Sequence, residues 1–339
     1  MNRVTAVVVA FGEEMLLPAA VRSILDSRGV EVEVILVDNG CTDGGVGKVR
    51  DLEGVTVIDP GRNLGLDEAC NIGVAAGSGS FVALVNFDAV AEPDALARLV
   101  AVAADPAVGI ATASLRLYDR PDLMNSAGNE VHFLGFSWCD GLGAPASEFT
   151  TARDVASASG AAMVMRRELW ETLGGFPSEF FMYYEDSELS LRSWRAGYRV
   201  VFVPDAVVMH GYEFGRNPAK MYLVERNRLI AMVTLLEART LALLLPAIVG
   251  VELAMLVLAM RQGWSRAKLR GWWWLARHHR WLRERRSEMA RQRTVGDSAI
   301  ARHLATRLMD ANIDLPAALG PLDAALAAYW RAVRRFLRR

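Results

Sequence analysis

The fold depends on the stretch Ser80-Phe81-Val82-Ala83-Leu84-Val85-Asn86-Phe87-Asp88-Ala89. Its first half is apolar and rich in β-formers, which predicts a buried strand that ends near Val85. An amide, Asn86, and a carboxylate, Asp88, follow where that strand ends. Oxygen ligands at a strand end are typical of a site for a divalent cation and the phosphates that it binds.

Further short β-rich runs alternate with helix-like stretches on both sides of this strand. This rhythm predicts an α/β fold, with a mostly parallel sheet flanked by helices. Ligands of such sheets bind beyond the carboxyl ends of the strands, so Asp38 and Asn86 are expected to face one cleft. The other predicted strands are Val4 to Ala10, Val32 to Val37 and Val55 to Ile58, and the predicted helices are Leu17 to Asp26, Leu66 to Ala76 and Pro93 to Ala104.

The composition indicates a globular protein with a basic C-terminal region. At 339 residues and 52% hydrophobic content, the chain can form a substantial core. Its three cysteines have no metal-ligand spacing and favour a reducing compartment. No signal peptide is expected, because Met1-Asn2-Arg3 leads directly into a short strand-like run. Residues 261–339 carry 18 Lys and Arg against 6 Asp and Glu, a net charge of +12 that favours an anionic partner surface.

The run from Leu241 to Met260 is apolar except for Glu252, and its length matches one bilayer crossing. A core helix, a helix in the membrane plane and a true span all fit this pattern, although Glu252 and Pro246 count against a simple lipid-facing span. Tryptophan and arginine interleave in the segment that follows, which is the composition found at the headgroup level of membranes.

The last helix is predicted to have one apolar and one basic face. Docking within the protein, an oligomer contact and binding to anionic lipid all explain such a helix. Nucleic acid is not an expected partner, because no nucleic-acid-binding module accompanies the charge. The apolar face comprises Leu322, Leu326, Tyr329, Trp330, Val333, Phe336 and Leu337, and the basic face comprises Arg331, Arg334, Arg335, Arg338 and Arg339.

The chain also contains an ordered series of motifs, namely Val34-Ile35-Leu36-Val37-Asp38-Asn39-Gly40-Cys41-Thr42-Asp43, Arg62-Asn63-Leu64-Gly65, Asn86-Phe87-Asp88-Ala89, Leu173-Gly174-Gly175-Phe176, Glu185-Asp186 and the downstream His210. From about Val4 to Arg228, this series resembles the family 2 inverting glycosyltransferases of the GT-A fold, especially the rhamnosyltransferase-like branch. Membership would imply a nucleotide-activated sugar donor, a divalent cation and inversion at the anomeric carbon.

The resemblance implies a Mg²⁺ or Mn²⁺ site formed by Asp88 and His210. Asp88 matches the last carboxylate of the family's Asp-any-Asp signature, whereas Asn86 stands where the signature has Asp. A neutral amide gives the ion less negative charge, which weakens the expected metal site. Rhamnosyltransferase-like members often carry Asn there, so the departure does not indicate an inactive enzyme.

Asp186 resembles the family's general base, which removes the acceptor hydroxyl proton while the anomeric carbon is attacked from the face opposite the diphosphate. Glu185 is expected to shape the site or to bind the acceptor. In the alternative interpretation, both carboxylates cap the helix that begins there, and capping and catalysis are compatible.

On the donor side, Phe11 is expected to stack on a pyrimidine and Asp38 to accept from its ring N–H. Uracil and thymine share that N–H, so a UDP-sugar and a dTDP-sugar both fit. Arg226 and Arg228 either reach a diphosphate or form a solvated helix face. The full set that matches family positions comprises Ala10, Phe11, Asp38, Asn39, Arg62, Asn63, Asn86, Phe87 and Asp88 for the donor, and Ser159, Gly160 and Trp170 for the acceptor.

Together these features predict a catalytic domain at 1–228, with a nucleotide-sugar-binding half at 1–114 and an acceptor-binding half at 115–228. A helical region at 229–339 would serve membrane association or oligomerisation. The predicted function is metal-assisted, inverting transfer of a sugar, for example rhamnose, to a lipid-linked or polymeric glycan of the cell envelope. The predicted location is the cytoplasmic face of the cell membrane. Nucleotidyl transfer and noncatalytic binding of a nucleotide sugar are the alternatives.

Overall fold

The computed structural model describes residues 1–211, 219–308 and 320–337. Within these residues the chain forms two compact units. One, the sheet unit, comprises residues 1–129, 139–193 and 198–211. The other, the helical unit, comprises residues 130–138, 194–197, 219–308 and 320–337.

The strands in chain order are β1 (Asn2–Gly12), β2 (Val30–Cys41), β3 (Val55–Ile58), β4 (Phe81–Val85), β5 (Ala89–Ala91), β6 (Val108–Leu117), β7 (Arg120–Ser126), β8 (Asn129–Val131), β9 (Ser137–Cys139), β10 (Arg153–Asp154), β11 (Ala162–Arg166) and β12 (Arg199–His210). The helices are α1 (Leu17–Leu25), α2 (Leu66–Ala76), α3 (Ala95–Ala103), α4 (Arg167–Leu173), α5 (Glu185–Arg195), α6 (Lys220–Leu235), α7 (Ala238–Gln262), α8 (Ser265–Arg277), α9 (His279–Gln292), α10 (Asp297–Ile300) and α11 (Gly320–Leu337).

The main sheet has the strand order β10-β12-β6-β11-β4-β1-β2-β3, with β5 added on β12 and β7 on β6. The β1 strand is parallel to β2 and β4, and β12 is parallel to β6. The strand β11 is antiparallel to both of its neighbours, β4 and β6, so β4 and β6 run in the same direction. The strands β1, β2, β4 and β12 therefore all end at one edge of the sheet. The predicted α/β fold with a mostly parallel sheet is confirmed.

The central strands are buried on both faces, as expected for parallel strands covered by helices. All five residues of β4 are buried, as are seven consecutive residues of β1. The core of the sheet unit joins these strands to α1 and α3, with Leu17, Ile24 and Leu99 inaccessible to solvent. The helix α3 begins at Ala95, two residues after the predicted start at Pro93.

In the helical unit, the predicted domain boundary at residue 228 falls inside α6. Arg228 forms ion pairs with Glu225 on α6 and with Glu252 on α7. Residues on both sides of the predicted boundary are thus held in one packed group.

The predicted last helix, α11, docks its apolar face within the helical unit. Trp330 is 1% exposed and stacks on Phe133 with ring centroids 4.8 Å apart. The hydroxyl of Tyr329 donates to the Leu243 carbonyl oxygen on α7. The docking interpretation therefore accounts for the centre of the apolar face. Two of the predicted basic residues, Arg338 and Arg339, lie outside the described residues.

Candidate active site

The two predicted metal ligands are neighbours at the edge where β4 and β12 end. The short strand β5 pairs antiparallel with β12 and places His210 opposite Ala89, the residue after Asp88. The Nε2 atom of His210 lies 3.2 Å from Oδ1 of Asp88 and 3.3 Å from Nδ2 of Asn86. Residues 124 positions apart in sequence thus share one site.

Both ring nitrogens of His210 have polar neighbours. Its Nδ1 lies 2.9 Å from Oδ1 of Asn125. An amide oxygen only accepts, so this contact favours a proton on Nδ1, and Nε2 then accepts from Nδ2 of Asn86. Oδ1 of Asp88 is buried and has no hydrogen-bond partner among the described residues.

This donor set fits a divalent cation, because imidazole nitrogen and carboxylate oxygen both bind Mn²⁺, and carboxylate oxygen binds Mg²⁺. No group of three or more His, Cys, Asp or Glu side chains is arranged around a metal position in residues 1–211, 219–308 and 320–337. Asp88 and His210 would thus supply two ligands, and phosphate oxygens and water would supply the others.

Asp186, the predicted general base, lies in the first turn of α5, where donors from three residues hold its carboxylate. Its Oδ2 accepts from Nδ2 of Asn129 at 3.1 Å and from the Gly160 N–H at 3.0 Å. Its Oδ1 accepts from the N–H of Ser187 at 2.6 Å. Burial raises the pKa of Asp186 above its ordinary value, and these hydrogen bonds oppose that rise. The contact with Ser187 also satisfies an N–H in the first turn of the helix, as the capping interpretation expects, and the role of Asp186 as base stays a prediction.

A backbone connection joins the metal candidates to the base. The N–H of Asn86 donates to the Ala161 carbonyl oxygen at 2.9 Å. Ala161 follows Gly160, whose N–H holds Asp186. Asn86, after β4, is thus hydrogen-bonded to the segment before β11 whose Gly160 N–H holds Asp186, and His210 contacts Asn86.

Glu185, the second predicted catalytic residue, is 6% exposed. Burial, together with the negative charge of Asp186, raises the pKa of its carboxyl group to about 8. Its Oε2 is buried and has no hydrogen-bond partner among the described residues. At neutral pH, Glu185 is therefore a protonated carboxyl group within the sheet unit.

The backbone before the two carboxylates is strained. Phe181, Tyr183 and Tyr184 have φ angles of 68°, 70° and 76°, in a region that residues with a Cβ atom rarely adopt. The carbonyl oxygen of Phe181 accepts from the Leu66 N–H at 2.7 Å. A Cβ atom on Gly65 would lie 2.6 Å from Cδ2 of Phe181, so the absence of a side chain permits this contact. Strain of this kind persists where the surroundings hold it, and it is enriched at functional sites.

Some of the predicted donor-binding residues are exposed, whereas others are buried and hold the loop in place. Phe11 at the end of β1 is 50% exposed, and Arg62 is also exposed. Asn39 is buried, and its Nδ2 donates to Oδ1 of Asn63 at 3.0 Å. Oδ1 of Asp38 accepts from the Cys41 N–H at 2.9 Å. Asn39 and Asn63 thus shape the loop, and their predicted contact with a nucleotide stays a prediction.

The remaining donor and acceptor candidates have varied surroundings. Ala10 is paired with Asp38 across β1 and β2, and Phe87 is partly buried against the core. The Ser159 N–H donates to the buried Thr112 hydroxyl at 3.1 Å. Trp170 is 5% exposed and packs edge-on against Phe176 at 5.1 Å. The structure thus gives Trp170 a packing role, and its contact with an acceptor stays a prediction.

The interpretation of Arg226 and Arg228 as a solvated helix face is wrong, and their contact with a diphosphate stays a prediction. The two side chains belong to residues only 5% and 1% exposed, respectively. Arg226 lies over the rings of Tyr222 and Trp274 at 5.0 and 4.9 Å. Both arginines therefore pack inside the helical unit.

Asn125 and Asn129, which hold His210 and Asp186, are missed by sequence reasoning. The first lies in β7 and the second begins β8, and neither belongs to a motif with a recognisable spacing. Their positions depend on the antiparallel pairing of β7 with the last residues of β6, beside the end of β12.

The family that matches this chain covers its N-terminal two thirds and not the helices after α6. A family model described as "Glycosyltransferase like family 2" matches residues 2–230. The chain is 31% identical over 222 residues to an N-acetylglucosaminyl-diphospho-decaprenol L-rhamnosyltransferase of Mycobacterium tuberculosis, covering 56% of this chain and 70% of that protein.

Two solved structures share the fold at low identity. GalNAc-T7 with UDP, GalNAc and Mn²⁺ has a TM-score of 0.59 at 17% identity, and the match covers 71% of this chain and half (50%) of that one. TarS 1–349 of S. aureus with UDP-GlcNAc has a TM-score of 0.54 at 16% identity, covering 99% of this chain and 91% of that one. At such identities the likeness shows the fold alone.

Proposed function

The chain belongs to the glycosyltransferase-like family 2, and from this premise we propose that it transfers a sugar, with inversion, from a nucleotide-sugar donor to a lipid-linked or polymeric glycan. The observation that supports the proposal is the contact between Asp88 and His210, together with the backbone link from Asn86 to the segment that holds Asp186. Such a site can hold the diphosphate of a donor and remove a proton from an acceptor.

The proposed base is Asp186, whose carboxylate is held in place by hydrogen bonds from three residues. Oδ2 accepts from Asn129 and Gly160. Oδ1 accepts from the N–H of Ser187, and the Ser187 side chain also hydrogen-bonds the carboxylate. The acceptor hydroxyl would give its proton to this carboxylate, while its oxygen attacks the anomeric carbon.

A neutral Glu185 supports this assignment. A second negative charge beside Asp186 would favour protonation of Asp186 and remove the base. Because burial keeps Glu185 protonated at neutral pH, Asp186 is the carboxylate of the pair that ionises in the range where the base must act.

Asp88 and His210 would hold the Mg²⁺ or Mn²⁺ ion. A bound divalent cation neutralises the charge that develops on the leaving diphosphate. Asn86 contributes an amide instead of a carboxylate, so the site carries one negative charge where an Asp-any-Asp signature would carry two. We expect metal affinity to depend strongly on the donor's own phosphates.

Rhamnose is the sugar proposed for transfer, from a dTDP- or UDP-linked donor. Support comes from the relative in Mycobacterium tuberculosis, whose name describes L-rhamnosyl transfer to a diphospho-decaprenol-linked N-acetylglucosamine. A lipid-linked acceptor would place the protein at the cytoplasmic face of the cell membrane, as the sequence predicts. A homo-oligomer remains a further prediction.

The test combines purified protein with a panel of UDP- and dTDP-sugars and a polyprenyl-diphospho-N-acetylglucosamine acceptor, with and without Mn²⁺. The Asp186→Asn variant should lower kcat by about 10²- to 10⁴-fold with little change in donor KM. The matched control is Asp51→Asn, at an exposed position. Undiminished kcat would exclude Asp186 as the base, and retention at the anomeric carbon would exclude inversion. Nucleotidyl transfer without sugar transfer would favour a nucleotidyltransferase.

A further inference from the structure

The helix α7 has an apolar face that no described residue covers. By length and composition, it is the one helix in the described parts of the chain that could cross a membrane, and only 11% of its apolar window is buried. The exposed arginines Arg239 and Arg261 bound this face. Its large exposed side chains are Leu245, Val249, Leu253, Val257, Leu258 and Met260. A continuous exposed patch of this kind marks an interaction surface.

The opposite face of α7 is polar at its centre and is satisfied inside the helical unit. Glu252 is 8% exposed. Its carboxylate pairs with Arg228 of α6 and, at 2.8 Å, with Lys268 of α8. It also accepts from the indole N–H of Trp272 at 2.6 Å. The charge that seemed to oppose lipid contact in the sequence is therefore turned inward, away from the apolar face.

These contacts are incompatible with α7 crossing a bilayer. The helices before and after α7 both meet its middle residue, Glu252, so α6 and α8 lie alongside it. Insertion of α7 across the membrane would either break this ion cluster or carry the basic residues of α8 into hydrocarbon. Each Lys or Arg at the bilayer centre costs about 2.5 to 3.5 kcal/mol or more. A helix lying in the plane of the interface needs neither change.

Charge and aromatic content favour a lipid surface over a second copy of the chain. On α8, Leu269 and Trp273 are exposed at 49% and 62%. The guanidinium group of Arg277 lies over the Trp273 ring at 5.4 Å, and Arg266 and Arg270 are also exposed. Tryptophan with arginine suits the headgroup region of an anionic bilayer. A two-fold contact between copies would bring the same basic surface against itself.

We propose that α7 lies in the plane of an anionic membrane, with its apolar face in the interface, and does not span the bilayer. Glu252 and its partners keep the polar face of the helix on the protein side. This inference concerns the helical unit alone and does not depend on the proposed sugar transfer.

The position of α7 can be measured with nitroxide labels on single accessible cysteines, after Cys41 and Cys139 are replaced by Ser and with the buried Cys70 kept. Labels at Leu245→Cys, Leu253→Cys and Met260→Cys would be read by electron paramagnetic resonance on vesicles containing phosphatidylglycerol. An in-plane helix gives three similar, shallow depths. A spanning helix gives a deep label at residue 253 and shallower labels at the others, which would overturn the proposal.

A second measurement tests the surface itself by vesicle co-sedimentation of the full chain. The Leu253→Glu variant should bind anionic vesicles about tenfold more weakly or worse, since one leucine transfer and one repulsive charge are involved. The control Met15→Glu changes a residue that is 92% exposed in the sheet unit and should bind normally. Equal binding by all three proteins, or apolar-face association into dimers without vesicle binding, would overturn the proposal. Circular dichroism confirms that each variant is folded.

Discussion

The Glu185→Gln substitution should change how the stability of the protein depends on pH. In the folded chain, burial raises the pKa of Glu185 from 4.5 to about 8. Below pH 4.5, the carboxyl group is protonated in both the folded and the unfolded chain, so it imposes no penalty. As pH rises from 4.5 towards 8, the unfolded chain releases the proton and the folded chain retains it, so stability is lost across this window.

The size of this stability loss follows from the pKa shift of Glu185. Each pH unit is worth about 1.4 kcal/mol, so the loss reaches about 3 kcal/mol at pH 7 and at most about 5 kcal/mol at pH 8. Glutamine has nearly the same shape and stays neutral, so the variant lacks this loss. Any cost of placing an amide beside the unpartnered Oε2 position is independent of pH.

The assay is urea denaturation of wild type and variant at pH 5, 7 and 8, followed by tryptophan fluorescence. The stability difference, variant minus wild type, should rise by about 3 kcal/mol or more from pH 5 to pH 8. The exposed Glu53→Gln serves as control and should show no such trend. A pH-independent difference for Glu185→Gln would mean that the carboxyl group is already ionised at neutral pH. Infrared difference spectra of the protonated carboxyl group provide an independent check.

Three further substitutions test the supporting residues. Asn129→Ala removes a hydrogen bond that lowers the pKa of Asp186, so the acidic limb of the pH–kcat profile should move up by about one to two units; an unmoved limb contradicts the role. Asn125→Ala frees the ring of His210 and should weaken Mn²⁺ binding about 10- to 100-fold, measured by calorimetry with donor present; unchanged affinity would remove His210 from the metal site. Gly65→Ala places a Cβ where no space exists, at φ +83°, and should destabilise the fold by about 2 kcal/mol or more in a thermal melt.

Local patterns predicted much of the sheet unit. The strand β3 and the helix α2 have the predicted bounds, because β-branched alternation and helical spacing act over short distances. The position of Asp88 after a buried strand placed it at the ligand-binding edge, as the topology of parallel sheets requires. The motif series identified the family before any contact was known.

The partners of these residues could not be predicted in the same way. Asn125 and Asn129 hold His210 and Asp186 only because β7 folds back along β6, and no local spacing encodes that return. For Arg228, the sequence-based interpretation was wrong about exposure. Its position beside Asn227 suggested a polar, solvated helix face, but the residue is 1% exposed. Contacts across many residues depend on which helices pack together, and that is a property of the whole chain.

Glu185 and Glu252 show most clearly which properties the sequence determines and which depend on tertiary structure. The order of residues was enough to establish an α/β fold, a strand-end carboxylate and a long apolar helix, because secondary-structure periodicity and strand-end placement are local. Tertiary packing decided that Glu185 is protonated and that Glu252 faces two cations instead of lipid. The physical reason is that the free energy of a charge depends on its solvation and on its neighbours in space, and both are set only when distant segments come together.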